Sequence, residues 1–382
     1  MKLADCHNID DFRRLAKKRL PFPVYDYIDG AADDETTKAR NTSAFDHADL
    51  VPDVLAGVGA IDTSCTILGR KSALPLMLSP TALQRAFHTD GEMAVARAAE
   101  KFGVWFGISS LATHSIEDIA TTTQGPKLFQ LYVHKDKGLN ASMIERCKAA
   151  RFGALALTVD TIVSGKRERC LRSGFTTPPR FTPRSIWSYA TRPRWTLDYI
   201  FGSKFRLPQL DGYVAEGTGK AVSIQDYFNT MLDTNMDWDT AARIRQDWGG
   251  TFALKGVMSA ADARRAVEIG ADAIMLSNHG GRQLDGSRSP FDQLPEIVDA
   301  VGGKIEIILD GGVRRGTHVL KSMAAGATAV SGGRLYLYAL AAAGQAGVER
   351  ALGILKDEIE RGMRLMGITS VDQLTRERLR WR

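Results

Sequence analysis

Residues 305–334, IEIILDGGVRRGTHVLKSMAAGATAVSGGR, contain one pattern twice. A short β-branched run ends at Asp310 and a glycine turn carrying arginine follows. The 3.6-period segment GTHVLKSMAAG then leads to a second apolar run, Thr328 to Gly333, closed by Gly332-Gly333-Arg334. Apolar runs of this length bounded by glycine read as buried strands, and the periodic segment between them as a crossover helix. Working outward, six earlier runs have the same character: Leu74 to Ser79, Val104 to Ser109, Lys127 to Tyr132, Ala154 to Val159, Thr251 to Gly256 and Asp272 to Ser277. Six of the seven start-to-start spacings fall between 21 and 33 residues, room for one strand and one helix. Eight βα units in series predict a single α/β domain over 1–382, a closed (β/α)8 TIM barrel, because right-handed crossovers curl a parallel sheet until its ends meet. An open doubly wound sheet is disfavoured: no GxGxxG follows the first strand and no GxxxxGK[ST] occurs.

The exception is the interval between the fourth and fifth strands, 97 residues long. It predicts a long insert over 161–250, emerging on the C-terminal face where barrel loops build active sites. Its segment 178–213 holds eight aromatics and six Arg/Lys, and reads as a lid, a docking surface or a packed subdomain. Before the barrel, Ile9 to Leu20 predicts an amphipathic helix, the start of an N-terminal helical extension.

The 382 residues, 44% hydrophobic and 25% charged, exclude disordered and fibrous classes. The first twenty residues lack the apolar core of a secretory signal, so the mature chain is expected to start here, and no segment reads as a bilayer span. Four cysteines without CxxC or zinc spacing point to a reducing, cytoplasmic compartment and to no metal site. The net charge of +6 is concentrated in residues 161–220, so it is not read as nucleic-acid binding.

Strand ends on the catalytic face carry the chemistry of a barrel. The first four offer Pro80-Thr81-Ala82, Ser109-Ser110, Gln130 with Tyr132, and Thr158 with Asp160. The last four offer Lys255, Ser277-Asn278-His279, Asp310-Gly311-Gly312 and Gly332-Gly333-Arg334. Paired glycine turns with arginine after strands seven and eight suit a phosphate, since backbone N–H groups approach its oxygens and arginine forks neutralise them. His279 reads as a base, with Asp160 available to its other ring nitrogen. Arg167 and Arg282 offer forks for a substrate carboxylate, and Tyr27 and Tyr132 offer hydroxyls. Lys255 admits two readings, a Schiff-base nucleophile as in an aldolase or a cation stabilising charge on a cofactor.

At these residues the chain resembles the FMN-dependent α-hydroxy acid dehydrogenases and oxidases. The motifs that carry the resemblance are YDYIDGAADDE (25–35), SPTALQ (79–84), SSLAT (109–113), FQLYV (129–133), LTVDT (157–161), LKGV (254–257), SNHGGRQLDG (277–286) and DGGVRRG (310–316). The resemblance implies FMN, an L-2-hydroxy acid substrate and a 2-keto acid product. It implies His279 as base paired with Asp160, substrate contacts from Arg282, Arg167, Tyr27 and Tyr132, and Lys255 as the cation beside the flavin. It further implies that Thr81, Ala82, Ser109, Gln130 and Thr158 hold the flavin ring, that Ser277 also contacts the cofactor, that Asp310 binds the ribityl chain, and that Gly312, Arg314, Gly333 and Arg334 take the phosphate. Hydride transfer and proton abstraction from Cα both use this constellation.

Where glycolate oxidases have SSW, this chain has Ser109-Ser110-Leu111, which argues against glycolate. The insert, with PRWTLDYIFG at 193–202, looks more like that of lactate and mandelate dehydrogenases on the inner face of the bacterial membrane. The resemblance therefore leads to an L-lactate dehydrogenase of respiratory type, peripheral on the membrane through 178–213, passing electrons to quinone and forming a homotetramer. No fused cytochrome domain is expected. A hydrogen peroxide-forming oxidase and a mandelate-type dehydrogenase are the alternatives within the class.

Overall fold

The computed structural model describes residues 1–175, 181–202, 206–211 and 230–382. The chain opens with α1 (Ile9–Arg19), α2 (Phe22–Asp29) and α3 (Thr36–Ser43). The first barrel half follows as β1 (Leu76–Thr81), α4 (Gly91–Phe102), β2 (Trp105–Ser109), α5 (Ile116–Thr122), β3 (Lys127–Leu131), α6 (Lys137–Ala149) and β4 (Ala154–Thr158). The insert contributes α7 (Glu168–Ser173), α8 (Pro183–Ala190) and α9 (Pro193–Phe201), and α10 (Trp238–Trp248) returns to the barrel. The second half is β5 (Thr251–Val257), α11 (Ala260–Glu268), β6 (Ala273–Ser277), α12 (Pro290–Val301), β7 (Glu306–Asp310), α13 (Gly316–Ala324), β8 (Ala329–Gly332) and α14 (Arg334–Leu365).

The eight strands are parallel and the barrel is closed, with β8 pairing β1 at Val330–Leu76. Each expected strand is present within a residue or two. The largest displacement is at β1, which starts later than its apolar run and continues through Pro80 to Thr81. Proline has no N–H to give the ladder, so Ser79-Pro80 reads as a strand end. Instead the register against β2 shifts between Leu78 and Thr81, and this bulge accommodates the proline. Gly107 on β2 makes the room, since a Cβ there would lie 2.6 Å from Pro80 Cδ.

The barrel interior is packed by Met77, Trp105, Leu128, Met275 and Ile308, interleaved with Ala154, Ala156, Ala253, Ala273 and Ala329. Large side chains from some strands fill the space left by alanines on others, so the barrel is solid below its upper rim. Ile67 and Leu68, at the tip of a small hairpin before β1, close its lower end. The outward strand faces join the helices in a second, larger core.

The N-terminal extension is fixed by both local and distant signals. Asn8 caps α1 by accepting the Asp11 N–H at 3.0 Å, and the stripe Ile9, Phe12, Leu15 and Ala16 is buried beside α14. Helix α3 was not evident in the sequence, because TTKARNTS has no apolar stripe. It is held by polar contacts: Asn41 and Asn278 exchange buried side-chain amide bonds at 2.7 Å each, and the Thr36 and Thr37 N–H groups donate to Asp285. The extension therefore packs directly against the loop that carries His279.

Candidate active site

The cavity at the C-terminal rim is lined by residues from β1, β2, β5, β7 and β8 and from the loops after β3, β4 and β6, with Tyr27 and Ile28 of α2 forming one wall. His279 follows β6 directly. It adopts φ +57, a left-handed conformation uncommon outside glycine, and its N–H donates to Ser277 Oγ at 3.1 Å. The ring Nδ1 is 3.0 Å from Asp160 Oδ1 and 3.3 Å from Thr161 Oγ1, while Thr161 Oγ1 donates to Asp160 at 2.9 Å. The opposite nitrogen, Nε2, is thereby left for a substrate.

Burial lowers the His279 pKa from its usual value; Asp160 pulls it back up, and Lys255 and Arg167 push it further down. Burial would raise the Asp160 carboxyl, but His279 and Lys255 outweigh it and hold Asp160 below the ordinary carboxylate range. The pair at neutral pH is thus a neutral imidazole backed by a carboxylate, the arrangement a general base requires. Asp160 has its place because β5 carries glycine opposite it: Gly256 has φ +109, and a Cβ there would lie 2.6 Å from Asp160 Cγ.

Two guanidinium groups face the same space. Arg282 donates through Nη1 to the carbonyls of Tyr27 (2.7 Å) and Gly30 (3.0 Å) and lies 4.7 Å from the Tyr27 ring centroid; Arg167 lies 5.9 Å from that centroid. Neither forms an ion pair with a carboxylate among the described residues, and Arg167 Nε is buried without a hydrogen-bond partner. Burial, followed by the neighbouring Arg167, pulls the Arg282 pKa down to about 10. Two half-buried cations facing one space with no carboxylate between them favour an incoming anion. Tyr132 also lines the cavity, its hydroxyl pKa raised by burial.

Opposite this clamp a polar network joins four strands. Lys255 Nζ is 2.8 Å from Asp310 Oδ2 and 3.2 Å from Ser277 Oγ, and Asp310 accepts further bonds from Ser79 (2.6 Å) and Ser277 (3.0 Å). Burial would lower the Lys255 pKa, but Asp310 and Asp160 raise it above its usual value. A Schiff-base lysine needs the opposite shift, so Lys255 is a permanent cation and the aldolase reading falls.

The expected cofactor residues meet around this network. Ser109 Oγ donates to Gln130 Oε1 at 2.9 Å, which fixes the amide and leaves Gln130 Nε2 buried without a partner; Thr158 Oγ1 is likewise buried and unpartnered. Thr81 Oγ1 is 2.6 Å from the Tyr336 hydroxyl, and Thr81 and Ala82 line the cavity. Buried polar atoms left unsatisfied are costly, and a flavin ring edge rich in carbonyl and N–H groups is the kind of partner they lack. Gly311-Gly312 and Gly332-Gly333 line the far end with Arg314 and Arg334, a donor set suited to a phosphate. Of the two arginines, Arg334 is already engaged with the carbonyls of Ile28, Gly280 and Gly30, and Arg314 with Val313 O. The residues present fit FMN.

All the site residues singled out in the sequence thus lie in or immediately beside this rim. The insert is close by: α9 docks through Trp195 Nε1, which donates to Ala86 O at 2.9 Å. Within the 178–213 segment, residues 178–180, 203–205 and 212–213 lie outside the described residues, as does the remainder of the insert through 229. Among the described residues of this segment, Trp187 is 71% and Phe201 80% exposed, while Trp195 is half-buried against the core.

Sequence reasoning missed Thr161, Ser79 and Asp29. Thr161 and Ser79 sit within LTVDT and SPTALQ, beside Asp160 and close to Thr81. Asp29, in YDYIDG, is a buried carboxylate bonded by Arg13, Arg169 and the Tyr338 hydroxyl, and it ties α7, which follows Arg167, to α2.

Residues 16–381 match the family described as FMN-dependent dehydrogenase. The chain is 40% identical to an L-lactate dehydrogenase of Alcaligenes faecalis, over 97% of each chain. It is 38% identical to a glycolate oxidase of Spinacia oleracea, over 97% of this chain and 95% of that protein. Among solved structures it is similar to a monotopic membrane protein, (S)-mandelate dehydrogenase, with a TM-score of 0.93 and 34% identity over 99% of this chain and 100% of that one.

Proposed function

The chain belongs to the FMN-dependent dehydrogenase family and is an FMN-dependent hydroxy acid oxidoreductase, and we propose that within this family it oxidises L-lactate to pyruvate and passes the electrons to quinone. The observation that carries the hydroxy acid reading is the pair of uncompensated guanidiniums, Arg167 and Arg282, facing a neutral His279 backed by Asp160. An apolar wall of Ala82, Phe87 and Leu111 favours a methyl-bearing substrate. The relative named L-lactate dehydrogenase, at 40% identity, agrees with this choice.

In this reading Arg167 and Arg282 anchor the carboxylate, and Tyr27 and Tyr132 orient the substrate hydroxyl. His279 Nε2 takes a proton from the bound substrate, and Asp160 stabilises the imidazolium that results. Bound FMN supplies the two-electron acceptor. Lys255 places a fixed positive charge beside its ring, Gln130, Thr158, Ser109, Ser277, Thr81 and Ala82 hold the ring, Asp310 binds the ribityl chain, and Gly312, Gly333, Arg314 and Arg334 receive the phosphate.

The membrane part of the reading rests on α8 and α9, where Trp187, Ile200 and Phe201 project into solvent beside Arg184, Arg192 and Arg194. No helix among the described residues is long and apolar enough to cross a bilayer. In this reading attachment is peripheral, through α8 and α9 on the inner membrane face, and the family resemblance adds a homotetrameric assembly.

Anaerobic mixing of the holoenzyme with L-lactate, glycolate, (S)-mandelate and D-lactate tests the substrate. L-Lactate is expected to bleach the oxidised flavin with the largest second-order rate constant and D-lactate to leave it unchanged. The likeness in fold to (S)-mandelate dehydrogenase makes mandelate the second reading, and faster bleaching by it or by glycolate would displace lactate. Rapid hydrogen peroxide release in air would replace quinone by oxygen as acceptor.

A further inference from the structure

A second cavity, of about 270 Å³, opens beside the catalytic one, separated from it by Phe87, whose side chain lines both. It lies where the C-terminal end of α1, the loop after β1 and the start of α9 converge. Its charge is one-sided. Lys18 and Arg19 enter from α1, Arg192 and Arg194 from the start of α9, and Asp198 is the one carboxylate among the described lining residues. None of these four cations forms an ion pair among the described residues. Arg192 Nη1 donates to its neighbour Thr191, at 2.8 Å to Oγ1 and 3.4 Å to the carbonyl, while its Nε is buried with no hydrogen-bond partner.

Cations converging on a cavity repel one another, and an orphaned guanidinium N–H adds a desolvation cost; an anion relieves both. Trp195 and Tyr199, stacked with ring centroids 5.0 Å apart, form the wall on the α9 side. The same helix turns Leu197, Ile200 and Phe201 outward. The cavity therefore sits at the headgroup level of the surface assigned above to membrane contact, where basic groups flanked by aromatics meet lipid phosphates. A neutral quinone ring would use the aromatic wall but leave the cations uncompensated.

We propose that this cavity binds the phosphodiester headgroup of an anionic phospholipid, which seats α9 on the membrane next to the catalytic mouth. The inference rests on the membrane reading, and its test separates the two. Full-length holoenzyme is floated with vesicles of phosphatidylcholine alone, phosphatidylcholine with phosphatidylglycerol, and phosphatidylcholine loaded with ubiquinone, with and without excess inorganic phosphate. Wild type, the double variant Arg192→Gln/Arg194→Gln, the single variant Lys18→Gln and the control Lys71→Gln/Lys304→Gln are compared. The control removes the same charge at the opposite end of the barrel. FMN content and Tm verify that each variant is folded.

Wild type and control are expected to partition about tenfold or more in favour of phosphatidylglycerol vesicles. The arginine double variant loses that preference while keeping its binding to phosphatidylcholine, and Lys18→Gln loses part of it. Retention of the preference by the double variant, or an equal loss in the control, overturns the cavity and leaves membrane attachment standing. Retention on quinone-loaded vesicles that depends on the same arginines assigns the cavity to quinone instead. Binding abolished by inorganic phosphate at concentrations matched in ionic strength by an ineffective chloride arm shows a soluble phosphate site and overturns the lipid source. Failure of every form to bind any vesicle overturns the membrane reading itself.

Discussion

His279 is the residue on which the proposed reaction turns, and its surroundings make predictions that separate chemistry from binding. Replacement by glutamine keeps the side-chain volume and an amide able to bond Asp160 and Thr161, but removes the base. His279→Gln is expected to retain FMN and to lower kcat by about 10³–10⁴-fold; near-normal flavin reduction by L-lactate in that variant would remove His279 from the mechanism. The pH dependence follows from the direction of the shift. Burial holds the imidazole below its ordinary pKa of 6.5, so the base form is fully populated at neutral pH and activity is lost as pH falls through the lowered value. The acid limb of kcat/KM is therefore centred below 6.5. Asp160 acts in the opposite sense, raising that pKa, so Asp160→Asn moves the midpoint further to acid while reducing turnover. Arg167→Met removes a nearby cation and moves the midpoint up. A midpoint that rises in Asp160→Asn would mean that another group controls the histidine.

At the level of elements, the site is held by contacts between segments far apart in sequence. The turn after β7 passes so close to α3 that a Cβ on Gly312 would lie 1.8 Å from Asn41 O, and Gly312 has φ +75. This glycine, singled out for phosphate contact, thus answers equally to the packing of the N-terminal extension. Gly312→Ala combines a left-handed alanine with overpacking against backbone and is expected to cost about 2–5 kcal/mol. Differential scanning of the holoenzyme should show a Tm several degrees lower. An unchanged Tm would mean that α3 can withdraw from the turn without loss. Helix α3 was illegible in the sequence because its hold is polar and distant, through Asn278 and Asp285, whereas α1 was legible because its apolar stripe and Asn8 cap are written in consecutive residues.

For the whole molecule, one barrel presents its catalytic rim and the exposed helices α8 and α9 on the same side. The lower end is closed by Ile67 and Leu68, and the interior beneath the rim is filled. The catalytic cavity is therefore reached from the side of the insert, and in the proposed reading both substrate and electron acceptor approach there. Trp187→Ser/Phe201→Ser removes two side chains that are mostly exposed, so the fold and flavin reduction by L-lactate should be unchanged. Vesicle binding and quinone reduction in vesicles should fall about tenfold or more, as the buried apolar area is lost. Equal loss of soluble-acceptor activity would show that these side chains support the site rather than the membrane contact.

Period and glycine punctuation are properties of neighbouring residues, so the eight βα units, the insert after the fourth strand and the polar residues at each strand end are legible in the order of amino acids alone. Which of those residues meet depends on the closed barrel. Lys255 on β5 and Asp310 on β7 become an ion pair because closure points alternate strands into one layer, and this pairing fixes the lysine as a cation. Thr161 joins the histidine–aspartate pair, and Lys18, Arg19, Arg192 and Arg194 line one cavity, through the packing of loops and helices outside the sheet. Their distances depend on how helices and loops pack around a closed sheet, and no local pattern carries that information.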